Sequence, residues 1–210
     1  MLAVDVTGSG APDLVATTAR ARLGPVDLLV NNAGNVRAGR LEDCTVADIR
    51  AMVELNLLAP VLLTRAVLPD LRATRGTILT ISSGIALVNL PFYTTYAATK
   101  TGVAAFGHSL RRELHGTGVH VATVYPGATA TAMMDSSAAD EDLGFGRRSV
   151  ADVVTDVLAA LGRDEHEINT SLSSRRALQD LHRTDPLAVD RALAPNLAAL
   201  ESAVPGHRSI

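Results

Sequence analysis

The chain has 210 residues, of which 47% are hydrophobic and 20% are charged, and this composition is typical of one globular domain with its own core. The formal net charge of -3 excludes the strongly basic surface that nucleic-acid binding requires. The single Cys44 excludes an internal disulfide and a cysteine metal cluster, and the six histidines show no metal-ligand spacing. Without a long uncharged apolar run or a signal peptide, the chain is expected to be cytoplasmic, with no membrane partner.

Short apolar runs alternate with longer helical patterns, which is typical of strand–helix–strand units in a parallel sheet. LAVDV at 2–6 is predicted to be the first strand, and VDLLVN at 26–31 the second. The helix between them can begin at Pro12 and end at Gly24. We therefore predict an α/β domain.

A long helix is predicted from Thr45, which forms a capping-box pattern with Asp48, to about Arg72, interrupted by Pro60 and Pro69. Two further helical stretches are predicted to end the chain, which shows no internal repeat and no linker. The other predicted elements are strand 76–82, helix 94–115, strand 119–125, a loop containing 126–134, a helix that begins at the capping pair Ser149 and Asp152, and strand 166–171.

Tyr96 and Lys100 are four residues apart and therefore lie on one face of the predicted helix. A fixed positive charge beside a phenol stabilises the phenolate and lowers the pKa of the phenol, which suits proton exchange with a substrate. Lys100 is the only lysine, and every other cationic residue among the 19 is arginine. A lysine against that bias indicates a need for a compact ammonium group. The alternative is an ordinary exposed pair.

Ser83 lies thirteen residues before Tyr96, at the carboxyl end of the third predicted strand, where open α/β sheets hold their ligands. Five motifs resemble, in order and spacing, those of the classical short-chain dehydrogenase/reductase family: NNAG at 31–34, Asn56, Ser83, Tyr96 with Lys100, and PGATAT at 126–131. The resemblance covers residues 2 to about 170, leaving 171–210 as C-terminal helices. It implies a single Rossmann-like domain, with a doubly wound parallel sheet flanked by helices.

The resemblance implies an NAD(P)-dependent oxidoreductase that interconverts an alcohol and a ketone or aldehyde by hydride transfer. It implies that Tyr96 donates or accepts the substrate proton, that Ser83 holds the substrate oxygen, and that Lys100 tunes Tyr96 and binds the nicotinamide ribose. Whether the cofactor is NADP or NAD is left open. The implied cofactor-binding residues are Asp5, Val6, Asn31, Ala33, Gly34, Tyr96, Lys100, Pro126, Gly127 and Thr131.

Asn56 can also be interpreted from its neighbours. Pro60 has no N–H, so the helical bond to the Asn56 carbonyl cannot form, and an ordered water is a natural partner for that oxygen. A proton relay through this water agrees with the resemblance, and a kink without chemistry is the alternative. In NNAG, the Asn31 amide can tie neighbouring strands together, whereas a simple turn is the alternative.

TGSG at 7–10 imitates the start of a dinucleotide fingerprint, but Asp13 replaces the third glycine and the motif lies too close to NNAG. The chain is therefore expected to lack the family's first two strands and its glycine-rich loop, and to bind the cofactor weakly. LAVDV, separated from its usual neighbours, is expected either to pair directly with VDLLVN or to stay loosely placed.

Two classes of function remain open: a hydride-transferring enzyme and a catalytically inactive remnant of one. A sugar-nucleotide epimerase, which shares the tyrosine–lysine spacing, is a less favoured third. The family usually forms a homodimer or homotetramer through the helices that carry Asn56 and Tyr96. A small apolar alcohol or carbonyl compound is the expected substrate, because the predicted lining is apolar: Ile85, Leu87, Val88, Phe92, Tyr93, Met133 and Met134.

Overall fold

The computed structural model describes residues 1–209, which contain a four-stranded parallel sheet with the strand order β1-β2-β3-β4. Neighbouring strands are parallel, and Val30 lies opposite Leu79 in the register of the first pair. The predicted α/β, Rossmann-like class is thereby confirmed. The strands are β1 Leu28–Asn31, β2 Thr77–Ile81, β3 His120–Tyr125 and β4 Glu167–Asn169.

The helices begin and end close to the predicted positions because their capping residues behave as expected. The hydroxyls of Thr45 and Ser149 accept the backbone N–H of Asp48 and Asp152, respectively. Three helices close the chain instead of two. The helices are α1 Ala11–Leu23, α2 Val46–Val53, α3 Ala59–Thr74, α4 Thr94–Glu113, α5 Ala132–Asp135, α6 Val150–Leu161, α7 Ser173–Thr184, α8 Pro186–Leu193 and α9 Leu197–Ala203.

The predicted strand LAVDV is wrong, because residues 2–6 take no part in the sheet. Asp5 is exposed and accepts hydrogen bonds from the N–H and hydroxyl of Thr7, at 2.9 and 2.7 Å. Of the two placements considered, pairing with VDLLVN is thus excluded. β1 is left as an edge strand.

One face of the sheet is covered by α1, α3 and α4. Their side chains surround Ile78 of β2 and Val121 of β3, and Leu71 of α3 is fully buried there. The opposite face is covered by α6, whose Val153 and Val157 pack on the apolar side chains of β2, β3 and β4. Helix α4, which carries Tyr96 and Lys100, therefore belongs to the face with three covering helices.

The predicted interruption near Pro60 is a single π-helical turn, Glu54–Leu58, between α2 and α3. The N–H of Ala59 bonds to the carbonyl of Glu54, five residues back. By length and composition the whole helical run Val46–Thr74 is apolar enough to cross a membrane, a test that core helices of soluble proteins also pass. In this fold it packs against β1, β2 and α4.

Candidate active site

A cleft of about 680 Å³ opens at the carboxyl ends of the strands. The segments that follow β1, β2 and β3 form its floor, α4 contributes Tyr96 and Lys100, and α6 and α7 form the opposite walls. Open α/β sheets bind ligands at this edge, because the loops and helix N-termini converge there. The predicted catalytic side chains Ser83, Tyr96 and Lys100 all line this cleft.

Lys100 is held firmly at the base of the cleft. Its side chain is buried, and Nζ donates to the carbonyl of Ile81 at 3.0 Å and lies 5.8 Å from the ring centroid of Tyr96. The backbone carbonyl of Lys100 accepts the hydroxyl of Ser82 at 2.7 Å, which ties α4 to the end of β2. Burial lowers the pKa of Lys100 to about 8, so most molecules carry the ammonium at neutral pH.

Tyr96 differs from the sequence-based prediction in its protonation. Burial raises the pKa of Tyr96 to about 12, and the neighbouring Ser83 hydroxyl offsets only part of this effect. The sequence predicted that Lys100 lowers the pKa of Tyr96. In the protein chain by itself that prediction is wrong, because the pKa is raised. Desolvation is the largest influence on this pKa, and Lys100 Nζ lies 5.8 Å from the centre of the ring. The phenol is protonated at neutral pH and is a proton donor.

Ser83 ends the extended segment after β2 and caps the following 3₁₀ turn, where its Oγ accepts the N–H of Ile85 at 3.2 Å. The next residue is fixed on both sides. The N–H of Gly84 donates to the carbonyl of Pro126 at 2.7 Å, and the Gln179 amide donates to the carbonyl of Gly84 at 3.0 Å. These bonds hold the serine hydroxyl at the edge of the cleft.

The Asn56 side chain has a structural role that the sequence did not reveal. Its amide donates to the carbonyl of Asn35 at 2.9 Å and to the hydroxyl of Thr99 at 3.1 Å, and its Oδ1 accepts the N–H of Asn35 at 2.8 Å. The side chain thus joins the π-helical turn, the loop after β1 and α4. The predicted role of the Asn56 carbonyl in a water relay stays a prediction.

The NNAG motif is divided between core and cleft. Asn31 is buried and its amide donates to the hydroxyl of Thr64 at 3.2 Å, so it ties β1 to α3 and not to a neighbouring strand. Ala33 and Gly34 line the cleft, as predicted. A Cβ on Gly34 would lie 3.2 Å from both Lys100 Nζ and Asn56 Oδ1, so glycine permits the close approach at this point.

Pro126, Gly127 and Thr131 line the cleft on the side that follows β3. A Cβ on Gly127 would lie 3.0 Å from the Cα of Ser171, so this backbone packs directly against the segment after β4. Thr131 caps the short helix α5 by accepting the N–H of Met134 at 3.4 Å. The structure therefore brings the PGATAT segment to the same cleft as Tyr96.

Asp5 and Val6, which the resemblance placed in the cofactor site, are not cleft residues in this structure.

Sequence reasoning also missed Asn32 and Arg175, which do line the cleft, and Ser82 and Thr99, which anchor α4. Asn32 is itself part of the NNAG motif and Ser82 precedes Ser83, and these positions were a usable signal. Arg175 had no such signal, because it comes from a helix far along the chain.

Comparison with known proteins agrees with this geometry. The family model described as short chain dehydrogenase matches residues 1–142. The chain belongs to the short-chain dehydrogenase family. A curated short chain dehydrogenase of Pseudocercospora fijiensis is 42% identical over 130 residues, which are 60% of this chain and 42% of that protein.

Solved structures share the fold. A short chain dehydrogenase from Burkholderia cenocepacia in complex with NADP has a TM-score of 0.78 at 25% identity, over 92% of this chain and 80% of the other. A ketone-specific alcohol dehydrogenase from Comamonas testosteroni has a TM-score of 0.71 at 26% identity, over 89% and 72%. The chain spans about half the length of the curated relatives it matches, between 42% and 55%.

Proposed function

We propose that the chain interconverts an alcohol and a ketone or aldehyde with NAD(P), with Tyr96 as the acid and base. The observation that carries the proposal is the convergence of Ser83, Tyr96 and Lys100 in one cleft at the carboxyl edge of the sheet. Ser83 follows β2, whereas Tyr96 and Lys100 lie on α4. The packing of α4 against the end of β2 brings the three side chains together. Family membership supports oxidoreductase chemistry at this position.

The protonated phenol favours carbonyl reduction. Because the pKa of Tyr96 is about 12, the hydroxyl holds a proton that it can donate to a substrate oxygen as negative charge develops there. Ser83, whose hydroxyl neighbours the phenol, can donate a second hydrogen bond and orient the carbonyl. Lys100 Nζ lies 5.8 Å from the ring centroid of Tyr96, where its positive charge can stabilise the phenolate that remains after proton donation.

The residues present fit the nicotinamide half of the cofactor. Gly34 leaves space beside Lys100 Nζ where a side chain would intrude, and the ammonium bonds to one carbonyl, so two of its three N–H groups are free to bind ribose hydroxyls. Asn32, Ala33, Pro126, Gly127 and Thr131 supply backbone and side-chain groups around the same space. When bound, the nicotinamide supplies the hydride.

A small apolar ketone or its alcohol is the proposed substrate class. The cleft beside Tyr96 is lined by Ile85, Val88, Met133 and Met134, as predicted. Leu87 and Phe92, which were also predicted to line it, do not. An apolar wall beside one proton donor suits a carbonyl flanked by hydrocarbon, because only the oxygen then needs a polar partner.

A homodimer or homotetramer through the helical run of α2 and α3 together with α4 is part of the proposal. Val53, Leu58 and Leu62 on that run are between 36% and 47% exposed, although they are large apolar side chains. Their burial against a second copy would remove apolar surface from water.

An inactive remnant is the second candidate, and one observation favours it. Five apolar residues form an open face beside the cleft, and each is at least 46% exposed: Leu28, Val30, Val150, Val154 and Leu158. Four of them, all except Leu28, line the cleft itself. A dinucleotide bound there would meet bare hydrocarbon instead of the helix N-terminus that usually binds a pyrophosphate, and weak binding is the consequence.

A nucleotide titration and one substitution separate these candidates. We expect saturable binding of NADPH or NADH, followed by nucleotide fluorescence, and ketone reduction that falls by about 10²- to 10⁴-fold in Tyr96→Phe with nucleotide binding retained. Tyr125→Phe is the matched control, because its hydroxyl bonds to His108 and Glu167 outside the cleft. If the folded chain binds neither nucleotide, the result contradicts the proposed enzyme and supports the second candidate, an inactive remnant.

A further inference from the structure

The cleft carries a second cation that the proposed reaction does not use. Among the described residues, the acidic or basic side chains that line the cleft are Lys100, Arg175 and His207, and no aspartate or glutamate is among them. Burial lowers the pKa of His207 to about 4, so this imidazole is neutral at neutral pH. Lys100 lies beside Tyr96. Arg175 is therefore the remaining charge, and its position defines a second polar point in the cleft.

Arg175 is positioned but not neutralised by the protein. Its guanidinium lies 5.2 Å from the ring centroid of Phe145, and Nη2 donates to the carbonyl of Gly144 at 2.5 Å. No carboxylate within residues 1–209 pairs with it, whereas Arg147 pairs with Asp135. Desolvation lowers the pKa of Arg175, and the nearby Tyr93 phenol offsets part of this effect. The half-buried guanidinium therefore has no counter-ion among the described residues, and a ligand in the cleft could supply the negative charge.

An aromatic wall connects this cation to the reacting phenol. The ring of Tyr96 lies 6.3 Å from that of Tyr93, the ring of Tyr93 lies 6.0 Å from that of Phe145, and Arg175 stands over Phe145. Tyr93 and Phe145 are both buried in the apolar cluster on the substrate side of the cleft. A molecule that reaches from Tyr96 to Arg175 therefore crosses apolar surface and meets positive charge at its end.

We propose that Arg175 binds a carboxylate at the far end of an elongated, otherwise apolar carbonyl substrate. This inference rests on the proposed function, and it extends the apolar substrate class to longer carbonyl compounds that end in a carboxylate. Arginine suits the task because its planar fork can donate two parallel hydrogen bonds to one carboxylate. The Gly144 carbonyl takes one N–H and thereby holds the guanidinium in place, while the remaining N–H groups are available.

The experiment compares binding of a medium-chain oxo acid and of its methyl ester by calorimetry, without hydride transfer. We expect the chain to bind the acid about tenfold more tightly than the ester, because the ester cannot offer the charged acceptor. Arg175→Gln should bring the two dissociation constants within about twofold of each other. Its affinity for the ester should be unchanged. Arg183→Gln on the same helix, whose side chain is 75% exposed, is the matched control and should keep the tenfold preference.

Other results would overturn either this proposal or the proposed function. Equal binding of acid and ester by the unchanged protein, a preference that survives Arg175→Gln, or no binding of either compound would overturn the proposal. A loss of NADPH affinity in Arg175→Gln without a change for the acid would assign the arginine to a cofactor phosphate and also overturn it. An acid preference that depends on Arg175 but is accompanied by no reduction of the oxo acid would refute the proposed function alone.

Discussion

The two faces of the sheet differ in how completely they are covered. On the face under α1, α3 and α4, Leu71 and Ile78 have no exposed surface. On the face under α6, Leu28 and Val30 of β1 are 54% and 46% exposed, because α6 covers β2, β3 and β4 and does not cover the edge strand. The outer surface of α6 adds exposed Leu158 to the same open face.

This difference explains why Tyr96 and Lys100 are firmly placed while the wall that faces them is partly exposed to solvent. Tyr96 and Lys100 lie on α4, which packs in the covered layer and is bonded to Ser82 and Asn56. The wall that faces them continues into the open face, where apolar side chains meet solvent. The covered layer therefore holds Tyr96 and Lys100 in place independently of the open face.

The largest expected effect is on the free energy of unfolding, when leucine is replaced by alanine on each face of the sheet in turn. We expect Leu71→Ala to lower the free energy of unfolding by about 2–5 kcal/mol, because it leaves a cavity in a fully buried site. Leu28→Ala should change it by less than about 0.5 kcal/mol, since that side chain is already half in water. Urea denaturation measures both. Similar losses at the two positions would mean that the faces are equally packed in solution.

A smaller effect concerns Lys100 and pH. The native chain releases the Lys100 proton near pH 8, whereas the unfolded chain keeps it to about pH 10.4, so the unfolded state binds more protons between these values. Stability should therefore rise with pH from about 8 to 10, by at most about 1.4 kcal/mol per pH unit. Lys100→Met should remove this rise. Above pH 10 the raised pKa of Tyr96 works in the opposite direction.

Denaturant midpoints measured at intervals between pH 7 and 10 would show this rise. A flat profile for the unchanged protein would indicate that Lys100 is solvated in solution. The covered layer would then be less tight around α4 than the structure has it.

The smallest expected effect is on the open face itself. Leu158→Gln should change the free energy of unfolding by less than about 0.5 kcal/mol, because the side chain is 63% exposed, and should reduce the fluorescence of an apolar-surface dye. Leu187→Gln on α8, where the side chain is 65% exposed, is the control and should leave the dye signal nearly unchanged. Equal loss of signal in the two variants would show that the dye does not recognise the open face.

The limits of the helices were predictable because they depend on local chemistry. Thr45 and Ser149 cap α2 and α6, and Pro12 and Gly24 bracket α1, as their types indicate. The strand LAVDV was predicted from an equally apolar run and is wrong. A strand is completed by hydrogen bonds to a neighbour, and a short apolar segment does not reveal whether that neighbour is present.

In the cleft, too, features that depend on local sequence were predictable and features that depend on packing were not. The spacing of Tyr96 and Lys100 predicted one helical face, and the placement of Ser83 after a strand predicted the edge of the sheet. The raised pKa of Tyr96 was not predictable, because it depends on how much water the surrounding elements exclude. Arg175 was not predictable either, since it approaches Phe145 only through the packing of α7.

By itself, the sequence determined the α/β class, most of the helix and strand positions, and the family to which the chain belongs. These properties depend on periodicity, capping and motif order, all of which are local along the chain. The tertiary structure alone decided that Asn56 joins three elements, that residues 2–6 remain outside the sheet, and that Arg175 lines the cleft without a counter-ion. Contacts between distant segments set each of these, through burial and hydrogen bonding that no local pattern records.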